Sequence, residues 1–290
     1  MNKNYVPKVK LKPVEQMQYS QFKHHVVLNA ALKSKLVSKL IAEIRSERDG
    51  NVIERSQVRQ AVHMLIEVGV NSRKIYEQEF EQILLQETSD YYRAESQQLI
   101  SSSSCSAYLQ QANRRLQQEF ERVQSYLSPS SETQLIQCFL DEYIGEVHAS
   151  NLLQMESSGF VHMIRNNKIN DLTIMFQLFS RRQKSFDLLK KCLSEFIASE
   201  GSKLVADTNL KTDDFIQQLM RLRELIIEIA TQAMGRDSQV DLAIKMAFEK
   251  VCNQDNKVAK ALVGYLDEMF KTEFKTLQEQ ELGEKIDKVI

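Results

Sequence analysis

The amino-acid sequence predicts an all-α protein built from packed helical bundles. Its 290 residues include only 8 Gly and 3 Pro, whereas average usage would supply about thirty of the two together. Because turn-rich β architectures use both residues at their turns, this scarcity favours long helices. Two stretches, 106–127 and 213–235, place apolar residues three or four positions apart, as on one face of a helix. No strand-length segment alternates between apolar and polar residues.

These two stretches predict helices that bury one face and expose the others. Their apolar residues are Leu109, Ala112, Leu116, Phe120, Val123 and Leu127 in the first, and Phe215, Leu219, Leu222, Ile226, Ile229 and Ala233 in the second. Glu, Gln and Arg fill the remaining positions, which predicts solvated flanks with ion pairs four residues apart, such as Arg115–Glu119. Because the neighbouring connections are short, packed antiparallel bundles fit the pattern better than an isolated coiled coil.

The first hundred residues predict an extended lead-in segment followed by helices. Residues 1–13 contain four Lys, no acidic residue and two of the three Pro, which predicts an extended segment. A helical pattern then runs to Gly50, a stop signal. The next helix is predicted to use Ser56 as N-cap and Gly69 as stop. Its predicted apolar face is Val58, Ala61, Val62, Leu65 and Ile66. A long helix follows, and the serine run 101–104 is predicted to form a flexible turn between helices, with a regulatory site as the alternative.

The segment 172–179 has six apolar residues among eight. Since a surface helix needs only one apolar stripe, this helix is predicted to lie between partners on two sides. Asn170 or Asp171 is predicted to cap its start. Its predicted apolar faces are Leu172, Met175, Phe176 and Phe179 on one side, and Ile174 and Leu178 on the other. The predicted connections are 128–132, 166–168, 201–213 and 253–257, and a capping box is predicted at Thr276 and Glu279.

Charge and cysteine usage narrow the classes of function. The formal net charge is −1 and the pI is about 6.6, with no hint of the basic face that nucleic-acid binders use. No apolar run approaches the ~20 residues that span a bilayer, and the polar start is not a signal peptide. We therefore expect a cytoplasmic and/or nuclear protein with no nucleic-acid or membrane partner.

The four cysteines, at 105, 138, 192 and 252, are far apart and never form C-x-x-C, so neither a disulfide framework nor a zinc site is predicted. Cys138 and Cys192 are predicted to be small core residues.

No residue pattern predicts a catalytic, cofactor-binding or metal site. His24 and His25 have no third ligand at helical spacing, and His63 has no partner histidine four residues on. His162 has apolar neighbours, which favours a buried or boundary histidine over a catalytic one. The eight glycines do not cluster, so no phosphate-binding loop is expected.

Two carboxylate pairs, Asp141–Glu142 and Asp213–Asp214, are adjacent in sequence. Neighbours on a helix point about 100° apart, whereas a general acid/base pair must converge on its substrate. Asp213–Asp214 is instead predicted to favour a helix N-terminus.

Five segments, in order along the chain, resemble the cullin family. They are "LIAEIRSERDG" (40–50), "IYEQEFEQILLQETSDYYRAES" (75–96), "AYLQQANRRLQQEFERVQSYLSPSS" (107–131), "DLTIMFQLFSR" (171–181) and "ALVGYLDEMF" (261–270). The fourth matches the family's D-L-x-x-M-[YF]-x-L-[FV]-S-R motif throughout. The second departs at Ile83 or Leu84, where an aromatic residue is usual. "MESSGFVHMIRN" (155–166) resembles the branch that uses BTB-domain adaptors.

The resemblance implies an elongated rod of stacked five-helix cullin repeats. It divides the chain into a lead-in and the end of repeat 1 (1–45), repeat 2 (46–168), repeat 3 (169–272) and the start of a helix leading into a C-terminal cullin domain (273–290). Met1 corresponds to a point late in repeat 1, so the main adaptor-binding helices, the RING-binding domain and the modified lysine are expected to be missing. The apolar residues Phe22, Val26, Val27 and Leu36 are then expected to lack their usual partners.

The function implied is that of a non-catalytic scaffold segment in a cullin-RING E3 ubiquitin ligase, serving ubiquitin-dependent protein degradation. Its implied partners are a substrate adaptor, of BTB type, and a RING-box protein, and no cofactor is expected. An exocyst-like membrane-tethering helical rod is the alternative from another class. A small helical-bundle enzyme is a third, for which the sequence offers no ligand constellation.

Overall fold

The computed structural model describes residues 29–69, 72–206 and 212–254, together with positions 17, 21, 25, 258, 260, 261, 263–265 and 267. Within these residues every regular element is a helix and none is a strand. The predicted all-α fold class is confirmed. Phe22, Val26, Val27, Thr276 and Glu279, for which predictions were made from the sequence, lie outside the described residues.

The chain divides into two compact units, Met1–Ser102 with Gln111–Tyr143, and Ser103–Gln110 with Ile144–Ile290. The helices of the first unit are α1 (Ala30–Arg48), α2 (Arg55–Glu67), α3 (Lys74–Tyr76), a π-helical turn (Glu77–Glu81), α4 (Gln82–Ser102), most of α5 (Cys105–Tyr126), a 3-10 turn (Pro129–Ser131) and α6 (Glu132–Tyr143). The helices of the second are α7 (Glu146–Gln154), α8 (Phe160–Arg165), α9 (Ile169–Phe179), α10 (Gln183–Ala206), α11 (Thr212–Met234) and α12 (Ser238–Cys252).

The core of the first unit contains the apolar face that the sequence predicts for α2. Val58, Val62 and Leu65 are buried, and Ala61 and Ile66 pack partly buried against the same core. Leu36 on α1 is also partly buried against this core.

The cap of α2 differs from the prediction. The helix begins at Arg55 with Glu54 as N-cap, so the prediction of Ser56 as N-cap is wrong. Ser56 lies inside the first turn, and its hydroxyl donates to the Glu54 carboxylate at 2.6 Å. The stop at Gly50 is confirmed, because this residue has a φ of +93°, which glycine adopts without the steric cost that a Cβ brings.

In the second unit, α9 is enclosed much as the sequence predicts. Leu172, Met175, Leu178 and Phe179 are buried, and Ile174 and Phe176 are half-buried. The helix packs against α8, α10 and α11.

The N-cap of α9 lies two or three residues earlier than predicted. The N-cap is Lys168, and Asn170 and Asp171 lie inside the first turn, so the prediction that either of them caps the helix is wrong. Asp171 instead accepts a hydrogen bond from the Ser106 hydroxyl at 2.5 Å. Its carboxylate is engaged by a tertiary partner, which a reading of local sequence does not anticipate.

Three other predictions from the sequence are corrected. Cys138 and Cys192 are only half-buried, whereas Cys105 is fully buried. The serine run is not a flexible turn throughout, because Ser101 and Ser102 belong to α4. The predicted connection 201–213 is shorter, because α10 continues to Ala206 and α11 begins at Thr212.

Gly201 lies within α10, at a point where the absence of a side chain lets α12 pack closely against the helix. A Cβ at this position would lie 2.6 Å from both methyl carbons of Val251. We expect Gly201→Ala to lower the free energy of unfolding of the second unit by about 1–3 kcal/mol, despite the roughly 1 kcal/mol gained in helix propensity. Chemical denaturation followed by circular dichroism measures the effect.

The matched control for this prediction is Gly264→Ala, where a Cβ meets no atom within 4 Å. This variant should be neutral or stabilising. In a Val251→Ala background, the cost of Gly201→Ala should fall by at least about 1 kcal/mol, because the clashing methyl groups are gone. A Gly201→Ala protein as stable as the parent would contradict the close packing.

Candidate functional site, a buried ion-pair network

The first unit encloses an ion pair at its centre. Glu119 on α5 is 0% exposed, and Arg48, the last residue of α1, is 2% exposed. The Arg48 guanidinium donates to both carboxylate oxygens, from Nε to Oε1 at 3.0 Å and from Nη2 to Oε2 at 3.1 Å. This two-point geometry is a strong form of ion pair, because each oxygen has its own charged donor.

Further donors complete the surroundings of Glu119. Arg122 Nη1 donates to Glu119 Oε1 at 2.8 Å, and the Tyr92 hydroxyl donates to the same oxygen. Arg48 Nη2 also donates to Thr88 Oγ1 at 2.8 Å. Because an isolated buried charge is very costly, a carboxylate at this depth requires such a set of partners.

The network extends to Glu47, the neighbour of Arg48 on α1. Arg122 Nε donates to Glu47 Oε2 at 3.0 Å, and the Tyr126 hydroxyl donates to the same oxygen at 2.7 Å. Arg55 Nε, on α2, donates to Glu47 Oε1 at 2.6 Å. The end of α1 is therefore tied to α5 by two consecutive charged residues, Glu47 and Arg48, and to α2 by Glu47.

A second ion pair lies between α4 and α5. Arg115 Nη2 donates to Glu95 Oε1 at 2.5 Å, and Arg115 Nη1 donates to the backbone carbonyl of Arg48 at 2.7 Å. That carbonyl ends α1 and has no partner within its own helix. The Tyr143 hydroxyl, at the end of α6, donates to Glu95 Oε2 at 2.5 Å. We call Glu47, Arg48, Glu95, Arg115, Glu119 and Arg122 the buried ion-pair network.

The prediction of a solvated Arg115–Glu119 pair is therefore wrong. Arg115 pairs with Glu95, and Glu119 is buried against Arg48 and Arg122. The apolar seam of α5 is largely as predicted: Leu109, Ala112, Leu116 and Val123 are buried, as is Leu127 just beyond the helix end, and Phe120 is half-buried. The helix also buries charged side chains outside this seam, because neighbouring helices supply their ion-pair partners.

The charges of the network fix its protonation. Burial opposes ionisation of Glu119, but the charges of Arg48 and Arg122 outweigh it, so its pKa lies below the ordinary value. Burial likewise opposes ionisation of Glu47, and the hydrogen bonds from Tyr126 and Arg55 outweigh it, so that pKa is also lowered. Burial, and then the charge of Glu119, raise the pKa of Tyr92 well above its ordinary value. Tyr92 therefore keeps the proton that it donates.

This arrangement holds helices in place and is unsuited to acid–base chemistry. A general base must come within hydrogen-bonding distance of a substrate proton, whereas Glu119 is fully enclosed and both of its oxygens already accept hydrogen bonds. Charged pairs of this kind require defined distances and angles. The network therefore favours one arrangement of α1, α4, α5 and α6 over its alternatives.

The lowered pKa values predict a loss of stability in acid. Carboxylates whose folded-state pKa is lowered contribute stability that is complete above the unfolded-state pKa and is lost as the pH falls through the folded-state pKa. We expect the free energy of unfolding of the first unit to fall below about pH 5. Glu119→Gln should reduce this pH dependence, because it removes one of the two carboxylates. Urea denaturation at pH 7, 5, 4 and 3 measures how the free energy of unfolding changes with pH in the parent and in Glu119→Gln. Identical pH dependence in the two proteins would contradict a lowered pKa at Glu119.

The histidines considered from the sequence are dispersed. His24 lies outside the described residues, and His25 and His63 are exposed. His63 Nδ1 lies 3.3 Å from Glu67 on the same helix, and His162 is half-buried. Within the described ranges, no three His, Cys, Asp or Glu side chains are grouped so that they could hold a metal ion.

The carboxylate pairs and the serine run have structural partners. Glu142 accepts from Arg93 Nη2 at 2.7 Å, and Asp141 accepts from Gln137 at 3.0 Å. The Asp213 side chain lies outside the described residues. Ser102 donates to the Gln98 carbonyl within α4 at 2.8 Å. The Ser104 hydroxyl accepts from the Ala107 backbone N–H at 3.3 Å in the first turn of α5.

Sequence reasoning missed the buried ion-pair network, although a signal for it was present. Its charged residues lie in three of the segments that resemble cullins: Glu47 and Arg48 in 40–50, Glu95 in 75–96, and Arg115, Glu119 and Arg122 in 107–131. Because Glu and Arg are almost never fully buried without a charged partner, the acidic and basic residues that these motifs share were the available signal for buried pairs.

Together these features define a class of protein, a helical scaffold whose bundles are fastened by apolar seams and, in the first unit, by buried ion pairs. The chain belongs to the cullin family, because the family model described as the cullin alpha solenoid domain matches residues 1–290. This finding supports neither the membrane-tethering nor the small-enzyme alternative. Among the described residues, no helix has both the length and the hydropathy to cross a bilayer.

Similar curated proteins include Cullin-3 of Dictyostelium discoideum, 32% identical over 292 residues, which cover all of this chain and 38% of that protein. Cullin-3A of Arabidopsis thaliana is 28% identical, with all of this chain and 39% of that protein covered. Cullin-4A of Mus musculus is 28% identical, with all of this chain and 37% of that protein covered. The chain therefore spans about two fifths of the length of these relatives.

Proposed function

We propose that this chain is a scaffold segment of a cullin-RING E3 ubiquitin ligase, a rigid helical spacer between a substrate adaptor and the catalytic RING module. The observation on which the proposal rests is the match to the cullin domain model over residues 1–290. A spacer of this kind raises the effective concentration of a bound substrate at the catalytic partner, provided that its length and geometry stay fixed.

The buried ion-pair network supports the rigidity that this role needs. Arg48 is bonded to Glu119 at two points, and Arg115 bonds both Glu95 and the end of α1. A sliding or rotating helix would break these bonds and leave buried charges without partners, which is strongly unfavourable. Stacked helical repeats otherwise depend only on contacts with their neighbours, so stiffness within each repeat matters.

The repeat boundaries remain part of the proposal. We assign 1–45 to the lead-in and the end of repeat 1, 46–168 to repeat 2, 169–272 to repeat 3, and 273–290 to the start of the helix that leads into a C-terminal cullin domain. Limited proteolysis followed by mass spectrometry tests the division, with first cuts expected near these boundaries.

The chain itself is proposed to be non-catalytic, and its partners are a substrate adaptor, of BTB type, and a RING-box protein in the whole protein. Whole-chain similarity to proteins named Cullin-3 supports the placement in the BTB branch, together with the segment 155–166. The place of action is cytoplasmic and/or nuclear. In the absence of its partners, the chain should transfer no ubiquitin when mixed with activating and conjugating enzymes.

Affinity purification of the tagged product of its own gene tests this function. Mass spectrometry should recover a RING-box protein and BTB-domain adaptors, and the purified assembly should extend ubiquitin chains. Recovery of vesicle-tethering subunits, or of no ligase subunit, would reject the scaffold role. Recovery of the RING-box protein with adaptors of another fold would reject only the BTB assignment.

A further inference from the structure

We propose that the groove between α10 and α12, in the second unit, is a docking surface for an acidic amphipathic helix of a partner protein. The groove has a volume of about 500 Å³ and is lined by side chains of both helices. A ligase spacer needs only a fixed length, so this surface adds a binding role that is independent of the proposed function.

The two helices form parallel walls. Lys190 Nζ on α10 donates to Gln239 Oε1 at 2.8 Å near the start of α12, and Ser202 Oγ donates to Gln254 Oε1 at 3.0 Å beyond its end. Between these points, Gly201 brings the backbone of α10 against Val251. The groove therefore lies between two helices that are held together at both ends and run in the same direction.

The outer face of α12 carries apolar side chains that the described residues leave uncovered. Its core-facing residues are Val240, Ile244, Ala247, Phe248 and Val251, all buried. Leu242 and Met246, one turn apart on another face, are 57% and 61% exposed. Paired exposed apolar residues beside a groove indicate an interaction surface more often than isolated ones do.

The lining combines small side chains with longer apolar ones. Ser194, Ala198 and Ala243 contribute small side chains to the lining, and Leu242 and Met246 contribute longer ones. Small residues allow another helix to approach closely, and apolar anchors three, four and seven positions apart on that helix would meet the walls. The unbranched Met246 side chain can adapt to the shape of an anchor.

The charge at the edge of the groove selects an acidic partner. Three lysines, Lys190, Lys191 and Lys250, line it against a single acid, Glu195. Lys190 is paired with Asp187 at 2.9 Å, and Lys191 lies 3.8 Å from Glu195. The exposed Lys250 has no ion pair within the part of the chain that the structure describes. A second copy of this chain would set lysines against lysines, which disfavours self-association through this face.

A designed pair of peptides tests the proposal with the full chain. Each is a fluorescently labelled, hydrocarbon-stapled helix of about 18 residues, or about five turns, with leucines at i, i+4 and i+7. One peptide carries glutamates on both flanks, and the other carries lysines at the same positions. Fluorescence anisotropy should show saturable binding of the acidic peptide, at least about tenfold tighter than that of the basic one.

Variants locate the binding. Leu242→Ser combined with Met246→Ser should lower the affinity for the acidic peptide at least about tenfold, because both apolar anchors of the surface are lost. Lys250→Glu should lower the affinity for the acidic peptide about threefold at low salt, and less at high salt. Val147→Ser, at another exposed apolar residue of the same unit (72% exposed), should leave the affinity unchanged. Circular dichroism checks that every variant is folded.

Three outcomes would overturn the proposal. They are equal binding of the acidic and basic peptides, no loss of affinity in the Leu242/Met246 variant, and no binding at all. Analytical ultracentrifugation tests whether a second copy of this chain occupies the groove instead. If the parent chain is a dimer and the same double substitution dissociates it, the groove belongs to the second copy. None of these results depends on recovery of ligase subunits, so the two proposals can fail separately.

Discussion

Glu119→Ala is expected to lower the free energy of unfolding of the first unit by about 3–5 kcal/mol, the usual cost of removing one member of a buried ion pair. The substitution leaves Arg48 and Arg122 buried without their shared carboxylate, and Tyr92 loses its acceptor. Urea denaturation followed by far-ultraviolet circular dichroism measures the change in midpoint.

Two variants separate charge burial from a general loss of side-chain contacts. Glu43→Ala removes a carboxylate paired with the exposed Lys39 at 3.2 Å, and should cost no more than about 0.5 kcal/mol. Glu119→Met combined with Arg48→Met replaces both charges with apolar groups, and should be less destabilising than Glu119→Ala alone. A Glu119→Ala protein within 1 kcal/mol of the parent, a margin about the size of a surface pair, would mean that the network does not fasten the unit.

Phe179→Ala is expected to lower the free energy of unfolding of the second unit by about 3–5 kcal/mol. The Phe179 ring is 0% exposed, at the end of a helix that packs against three neighbours. Deleting it leaves a cavity that the surrounding helices can fill only in part, so the loss exceeds the transfer free energy of the ring alone. Thermal and urea denaturation of the purified chain measure the effect.

The same helix supplies the control for this prediction. Phe176 is half-buried, and its ring makes an edge contact with Phe186 at 5.9 Å between centroids. Phe176→Ala should therefore cost less than half as much as Phe179→Ala, since fewer of its contacts lie in the core. Equal losses from the two variants would show that α9 is less enclosed than the structure indicates.

These predictions differ in how far the sequence alone supports them. The enclosure of α9 follows from local composition, since a helix with apolar residues on most sides must be surrounded. Burial of Leu116 and Leu219 follows from helical spacing in the same way, and both are buried. The predictions of helix ends were less accurate. Ser56 hydrogen-bonds to Glu54 and Asp171 to Ser106, and neither caps its helix.

The buried ion-pair network could not be derived from periodicity. Spacing along one helix treats every charged residue outside the seam as solvated, and Glu119 falls outside the seam of α5. Its main partner, Arg48, lies 71 positions earlier in the chain. Only the packing of α1 against α5 reveals that the two side chains meet out of contact with water.

The sequence by itself determined the all-helical class, the apolar seams and the resemblance to the cullins, because these depend on residue types at short, regular spacings. The tertiary structure alone decided which charges are buried, which helix ends are capped, and where α12 presents apolar side chains to solvent. Those outcomes depend on contacts between residues far apart in the chain. The energy of such a contact belongs to a pair of residues, and neither residue's own neighbourhood in the sequence specifies its partner.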